Sequence, residues 1–426
     1  MRSPYPRYKP SGMEWLGDVP EHWQWSQTRH LFDIVNGGTP TSSEKSYWDG
    51  DIEWFTPDDL GRNHSMRISG SRRKITQDGI QNSSARMSPK GAIILSTRAP
   101  IGHLAVIDVA AATNQGCRTL VPIFKANSCF FYYSLLASRD VLQSLGKGST
   151  FMELTPDDLG SHPVPLPSLS EQQAIAGFLD RETARVDALV EKKQQLIERL
   201  AEYRTALITQ TVTKGLPPDV AAAEGLNPAP LLKPSGVEWL GDVPEHWKVK
   251  RLHRICQLAY GDSLPTDSRQ TGEFPVLGSN GTVGYHRETN TLAPVIVVGR
   301  KGSHGQVNFN NGPIFAIDTT FFIDRRSTDA ELRWLYFSLL CIELDEESMD
   351  SAVPGLSRQY AYKKYLALPP LEEQCAIAAF LDSQTGRIDA LLAQVETAIE
   401  RLLEYRTALI TAAVTGKIDV REGSLV

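Results

Sequence analysis

Cysteine is scarce and unpaired in this chain. There are five in 426 residues, at Cys117, Cys129, Cys256, Cys341 and Cys375, odd in number and with no C-x-x-C spacing. That pattern argues against a disulfide frame or a closed zinc site and fits reduced thiols of a cytoplasmic protein. No run approaches the ~18 consecutive apolar residues of a membrane span. The opening MRSPYPRYKPSG has no apolar core of a secretory signal. Nucleotide chemistry lacks its loop as well, because Lys147 and Lys417 have no upstream glycine in a G-x-x-x-x-G-K-[ST] string. A base-modifying enzyme would need a Gly-rich cofactor loop and a D/N-P-P-aromatic tetrad, yet the Pro-Pro pairs are followed by Asp219 and Leu371. H-E-x-x-H is missing too. Catalytic residues, metal ligands and a bound cofactor are therefore not expected. The acidic pairs Asp58/Asp59 and Asp157/Asp158 sit in a repeated T-P-D-D-L string and read as helix caps. Nor is there an excess of positive charge: 44 Lys+Arg stand against 50 Asp+Glu. The deficit lies outside residues 24–165 and 248–367, each of which holds 14 basic and 13 acidic residues. Charge permits a nucleic-acid partner without indicating one.

What the chain does have is repetition. LPSLSEQQAIAGFLD (Leu166 to Asp180), running on to EYRTALIT (Glu202 to Thr209), returns as LPPLEEQCAIAAFLD and EYRTALIT at an offset of 202 residues. Apolar residues step by fours and threes through Ile175, Leu179, Val186, Leu189, Leu196, Leu200, Tyr203 and Leu207. The second copy gives Ile377, Leu381, Ile388, Leu391, Val395, Ala398, Leu402, Tyr405 and Leu409. Only Glu182, Lys193 and Gln384 interrupt the pattern. A period of 3.5 held over about five heptads predicts a coiled-coil seam, so the two helices are expected to pair as antiparallel rods. A second repeat precedes each variable stretch: KPSGMEWLGDVPEHW (Lys9 to Trp23) recurs with one change as Lys233 to Trp247. Its tryptophans should bury against a neighbour, and His22 and His246 should pack or hydrogen-bond locally.

The order is arm, variable segment, helix, linker, and then arm, variable segment, helix again. The divisions fall at 1–165, 166–214, 215–232, 233–367, 368–416 and 417–426. The Pro/Ala-rich linker 215–232 should be exposed. Each variable segment reads as mixed α and β. Gly91 to Asp108 and Ala293 to Phe309 both look like two buried strands joined by a loop, followed by short apolar helices at Cys129 to Ser138 and Ala330 to Leu344. The fold class is α+β: two globular α/β domains separated by a pair of long helices, with an internal pseudo-twofold repeat.

Candidate contact residues cluster in the variable segments. Arg300, Lys301, Ser303 and His304 sit on a Gly-rich turn between strands, with Thr97-Arg98 in the matching place. Arginine there could read guanine edges, and the amides of Asn114 and Gln115 could pair with adenine. Arg72, Arg73 and Lys74 form a compact basic run; Lys147 and Ser149 lie on a Gly/Ser loop, and Arg358 lies on the loop before the second helix.

The two L-P-x-L-x-E-Q-x-A-I-A-x-F-L-D helices and the E-W-L-G-D-V-P-E-H-W arms resemble the specificity (S) subunit of type I restriction-modification enzymes, over nearly the whole chain. STRAPIG, TNQG, GSTFMEL and GRKGS are similar to landmarks of its two target recognition domains. Asp318-Thr319-Thr320 stands where the second segment lacks TNQG. The resemblance implies a cytoplasmic, non-catalytic DNA-recognition subunit, each domain reading half of a split, asymmetric site in double-stranded DNA. It also implies two methyltransferase (modification) subunits, which carry S-adenosylmethionine, and restriction motor-nuclease subunits as partners. The alternatives are an S-like specificity chain of another restriction-modification type, a coiled-coil protein-binding scaffold, or a fused enzyme.

Overall fold

The computed structural model describes residues 4–147, 152–345 and 355–421. The chain is mixed α/β, and two helices dominate it: a first rod of 46 residues, Leu169–Lys214, and a second of 44, Leu371–Val414. Few helix breakers fall inside either rod, and interior threonines return their hydroxyls to the carbonyl four residues back, as Thr183 does to Leu179 and Thr385 to Leu381 at 2.7 Å. Ser168 and Glu171 cap the first rod, with the Ser168 hydroxyl 2.8 Å from the Glu171 carboxylate. Gly215 and Gly416 end the two rods in the left-handed conformation that glycine takes readily. Among the described residues no helix is long and apolar enough to cross a membrane.

The compact units are not consecutive stretches of sequence. One comprises 1–192 and 398–426, the other 193–397, so each holds the beginning of one rod and the end of the other. In the first unit Ile175 and Leu179 share a core with Ile410, Ala413 and Val414, while Asp187 meets Arg406 at 2.8 Å. The two rod segments there run in opposite directions. In the second unit Ile208 and Val212 share a core with Ile377 and Leu381, and Arg204 meets Asp389 at 3.0 Å. Each pairing repeats the other at the 202-residue offset.

Of the expected line, Ile175, Leu179, Val186, Leu200, Leu207, Ile377, Leu381, Ile388, Val395, Leu402 and Leu409 face inward, but one of its rows does not. Leu189, Leu196, Tyr203, Leu391 and Tyr405 are exposed, from 42% at Leu189 to 57% at Tyr203. In place of that row Val190, Ile197 and Arg204 face inward, matched by Leu392, Ile399 and Arg406. Two apolar rows one residue apart share the same heptad period, and the inner row is the one whose arginines reach the aspartates.

Each globular part is closed by a strand pair that delivers the chain into its rod: Gln24–Gln27 with Pro163–Leu166, and Lys248–Arg251 with Tyr365–Leu368. In the first unit a five-stranded sheet runs Phe32–Asn36, Cys117–Pro122, Ile93–Ser96, Leu104–Ile107, Arg67–Ile68, beside a three-stranded sheet centred on Trp48–Phe55. The second unit has a four-stranded sheet, Ala259–Tyr260, Thr320–Ile323, Val295–Gly299, Val307–Asn310, and a three-stranded one centred on Phe274–Gly278. The apolar helices Ser128–Ala137 and Leu332–Leu340 pack on these sheets. The arms fold as hairpins, and Trp23 and Trp247 are fully buried. Trp23 Nε1 and His22 Nε2 both meet the Glu171 carboxylate, at 3.2 and 2.8 Å; Trp247 and His246 meet Glu373 in the same way, at 2.8 and 2.6 Å. Burial works to raise the Glu171 pKa, but hydrogen bonds from His22, Ser168 and Trp23 hold it below the usual carboxylate range. The arms thus clamp the start of each rod.

Candidate nucleic-acid interface

In both units a loop leaves the central buried strand and folds back through the same main-chain bonds. Thr97 N and Arg98 N donate to Gly116 O at 2.8 and 3.3 Å; Arg300 N and Lys301 N donate to Thr319 O at 2.8 and 3.1 Å. Leu154 N then donates to Thr97 O, and Leu356 N to Arg300 O, both at 2.8 Å. This correspondence sets Arg300 in the place of Thr97, and Lys301 in that of Arg98. Gly37 and Gly261 press against the carbonyls of Asn114 and Ile317, where any side chain would collide with the main chain. The residues before them, Asn36 and Tyr260, therefore stand at one position on the rim of each sheet. The TNQG turn of the first unit is replaced by Ile317-Asp318-Thr319.

On this shared backbone the side chains differ. In the first unit Arg118 is buried, and its guanidinium donates to Asn36 Oδ1 at 3.0 Å, Leu154 O at 2.9 Å and Glu153 at 3.3 Å. The other oxygen of Glu153 takes Arg98 Nε at 3.1 Å. Arg98 is thus neutralised and oriented. Gln115 is exposed and accepts from the Thr39 hydroxyl, whereas Asn114 turns its side-chain oxygen onto Gly116 N at 3.0 Å. Gln115 keeps an amide free for a base edge; Asn114 serves the turn. Lys147 pairs with Asp158 at 2.9 Å, and Ser149 lies outside the described residues.

The basic run at 72–74 is a set of internal partners. Arg72 holds Asp59 at 3.1 Å and also Asp58, Lys74 holds Glu53 at 2.7 Å, and the Arg73 guanidinium lies 3.7 Å over the Trp48 ring. Burial would raise the Asp59 pKa, yet hydrogen bonds from Thr56 and Arg72 hold it low. Asp59 and Thr56 make a capping box at the start of Pro57–Arg62, and Thr155 caps Pro156–Ser161 through Asp158. Both acidic pairs are structural.

In the second unit Arg300 Nη1 donates to Asp318 O at 3.0 Å. Ser303 reaches Asn280 at 3.4 Å, His304 is tied to the carbonyls of Gly302 and Asp345, and Lys301 is exposed. Arg358 joins this rim, its guanidinium 4.8 Å from the centre of the Tyr260 ring. Sequence reasoning missed Thr39, Asn36, Arg118, Glu153 and Tyr260. The glycines that follow Asn36 and Tyr260 were the available signal, because a glycine inside a strand end marks close backbone approach. Among the described residues no group of three or more His, Cys, Asp or Glu could hold a metal ion.

The sequence matches the family described as the type I restriction modification DNA specificity domain over residues 20–199 and 244–401. It is 32% identical over 252 residues to the type I restriction enzyme MjaIX specificity subunit of Methanocaldococcus jannaschii, covering 59% of this chain and 55% of that one. The chain therefore spans about half the length of that relative. To the EcoprrI specificity subunit of Escherichia coli it is 25% identical over 387 residues, 84% of this chain and 86% of the other. In fold it is similar to a solved chain from work on complex assembly and conformational transition of the type I restriction-modification system, with a TM-score of 0.67, 19% identity, and 93% and 98% of the two chains covered. With both repeats matched, each across its loop rim and into its rod, this chain belongs to the type I restriction-modification DNA specificity family.

Proposed function

We propose that the chain is the DNA-recognition subunit of a type I restriction-modification complex, reading a bipartite asymmetric site in double-stranded DNA and carrying out no chemistry itself. The observation that carries this reading is the duplicated rim: one backbone, held by matching hydrogen bonds, presents Arg98 and Gln115 in one unit and Arg300, Lys301 and Arg358 in the other. Like scaffolds with unlike donors suit two different half-sites. The rods act as an antiparallel coiled coil that separates the two globular domains about a pseudo-twofold axis and sets the gap between half-sites.

The exposed Leu189, Leu196 and Tyr203 are spaced by seven residues; the first and last recur at the 202-residue offset as Leu391 and Tyr405, with Ala398 in the place of Leu196. This stripe is the docking face for methyltransferase subunits. Since it exists twice, two identical copies bind, each supplying S-adenosylmethionine; the chain holds no cofactor. Restriction motor-nuclease subunits join that core in the cytoplasm.

Methylated adenines are mapped across host DNA with and without the gene. A split motif that vanishes on deletion is the expected result, and a motif that persists sinks the reading. Co-expression with the methyltransferase should give two such subunits per chain; a one-to-one complex at saturation counts against the stripe argument.

A further inference from the structure

Arg300 and Arg358 converge on one exposed aromatic ring. Their guanidinium carbons lie 5.0 and 4.8 Å from the centre of Tyr260, whose ring is itself tilted against Phe321 at 5.0 Å. Arg300 also lies over Phe321 at 5.9 Å, and Arg358 over Tyr362 at 6.0 Å. Among the described residues neither guanidinium has an acidic partner; apart from ring faces, the one contact is Arg300 Nη1 with the Asp318 carbonyl. Two like charges held together with no carboxylate partner among the described residues cost energy, which the Tyr260 face offsets only in part. Such a pair awaits an acceptor-rich ligand.

We propose that Arg300 and Arg358 form a two-guanidinium reader of guanine in the half-site bound by the second unit, with Tyr260 as its positioning residue. The inference rests on the proposed function and names the base chemistry of one of its two sites. The Tyr260 ring holds both guanidinium groups and the Asp318 carbonyl holds that of Arg300, which leaves N–H groups of each for a ligand. Guanidinium groups so restrained suit the paired O6 and N7 acceptors of guanine, whereas phosphate contact needs no such restraint. Lys301, exposed and adjacent, is the phosphate contact.

The first unit carries no such reader. Its counterparts of Tyr260, Phe321 and Arg300 are Asn36, Arg118 and Thr97. The Arg118 guanidinium is turned inward onto Asn36, Leu154 and Glu153, and Arg98 is bound to Glu153. Guanine reading by an arginine pair is therefore confined to one half-site.

The test uses the full chain assembled with its methyltransferase subunits: parent, Arg300→Ala, Arg358→Ala, Tyr260→Ala and Tyr260→Phe. Modified sites are mapped, and competition binding is measured against oligonucleotides altered at each base. Arg300→Ala and Arg358→Ala should each lose roughly 5- to 100-fold discrimination at guanine positions of the same half-site, leaving the other half-site unchanged. Tyr260→Ala should relax those same positions, and Tyr260→Phe should behave as the parent. Uniform weakening across sequences, with the salt slope reduced by about one per arginine, would make the pair a phosphate clamp and overturn the proposal. Relaxation in different half-sites, unchanged specificity, or a parent motif without guanine in either half also overturns it. A parent complex that modifies no split site sinks the proposed function, and this inference with it.

Discussion

Arg118 shows how one buried side chain prepares an exposed one. It satisfies Asn36, the Leu154 carbonyl and Glu153 together, and Glu153 in turn holds Arg98. Arg118→Ala strands these acceptors and should cost the first unit roughly 2–3 kcal/mol, read from urea denaturation. His162 makes a second prediction at this scale. Its ring is buried, Nε2 meets the Ser138 hydroxyl at 2.9 Å, and Nδ1 has no partner. Burial pushes its pKa from 6.5 down to about 4. The unfolded chain therefore takes up a proton that the folded one refuses. Stability from this group is complete above about pH 6.5 and drains away as pH falls toward 4, by roughly 3 kcal/mol at most. Denaturation midpoints across that window should fall less steeply for His162→Gln than for the parent; equal slopes would refute the assignment. Neither residue was legible in the sequence, where Arg118 is one arginine among many and His162 one histidine among nine. Loops carrying Arg98 and Arg300 could be found because glycines and flanking apolar runs mark them. Arg72 and Lys74, read as a basic patch, turned out to be paired, since the acids they meet lie 13 and 21 residues away in sequence. A run of charges does not disclose its partners.

At the scale of elements, repetition carried most of the fold. Both rods, both arms and the strand–loop–strand plan of each variable segment follow from the 202-residue offset, apolar periodicity and turn residues. Register followed only in part. Leu189 and Val190, like Leu196 and Ile197, each supply an apolar residue every seven positions, so periodicity leaves this row open by one residue, while the row of Val186, Leu200 and Leu207 faces inward as expected. What decides between the rows is long-range: Arg204 and Arg406 lie in the inner row because Asp389 and Asp187 are there to receive them. A matched pair of substitutions tests this. Ile388→Ala removes a buried side chain and should cost roughly 2–4 kcal/mol. Leu391→Ala, at an exposed position, should change stability by no more than about 0.5 kcal/mol while weakening methyltransferase binding. Comparable destabilisation by both would restore the outer row to the seam.

For the whole molecule, the sharing of rods is the feature that matters. The first unit holds the beginning of the first rod and the end of the second, and the other unit holds the converse. Lengthening one rod alone therefore pulls a rod end out of its core: Ile410 and Val414 from the first unit, or Ile208 and Val212 from the second. A spacing change that keeps both cores must lengthen both rods together, by a number of residues that nearly preserves the seam. Four residues inserted after Lys193 and four after Val395 meet that requirement, adding ~6 Å of rise. At ~3.4 Å per base pair, the gap between half-sites should grow by about two base pairs, with the bases read unchanged. The same four residues placed in the first rod alone should lower stability and activity, because one core must give way. Insertions in the linker 215–232 lengthen no rod and should leave the gap as it was. Modified sites mapped for the parent and the three insertion variants, each assembled with its methyltransferase, decide the matter. A double insertion that stays active at the parental gap would refute the rods as the spacer. Altered half-site bases at an unchanged gap would place recognition residues on the rods themselves.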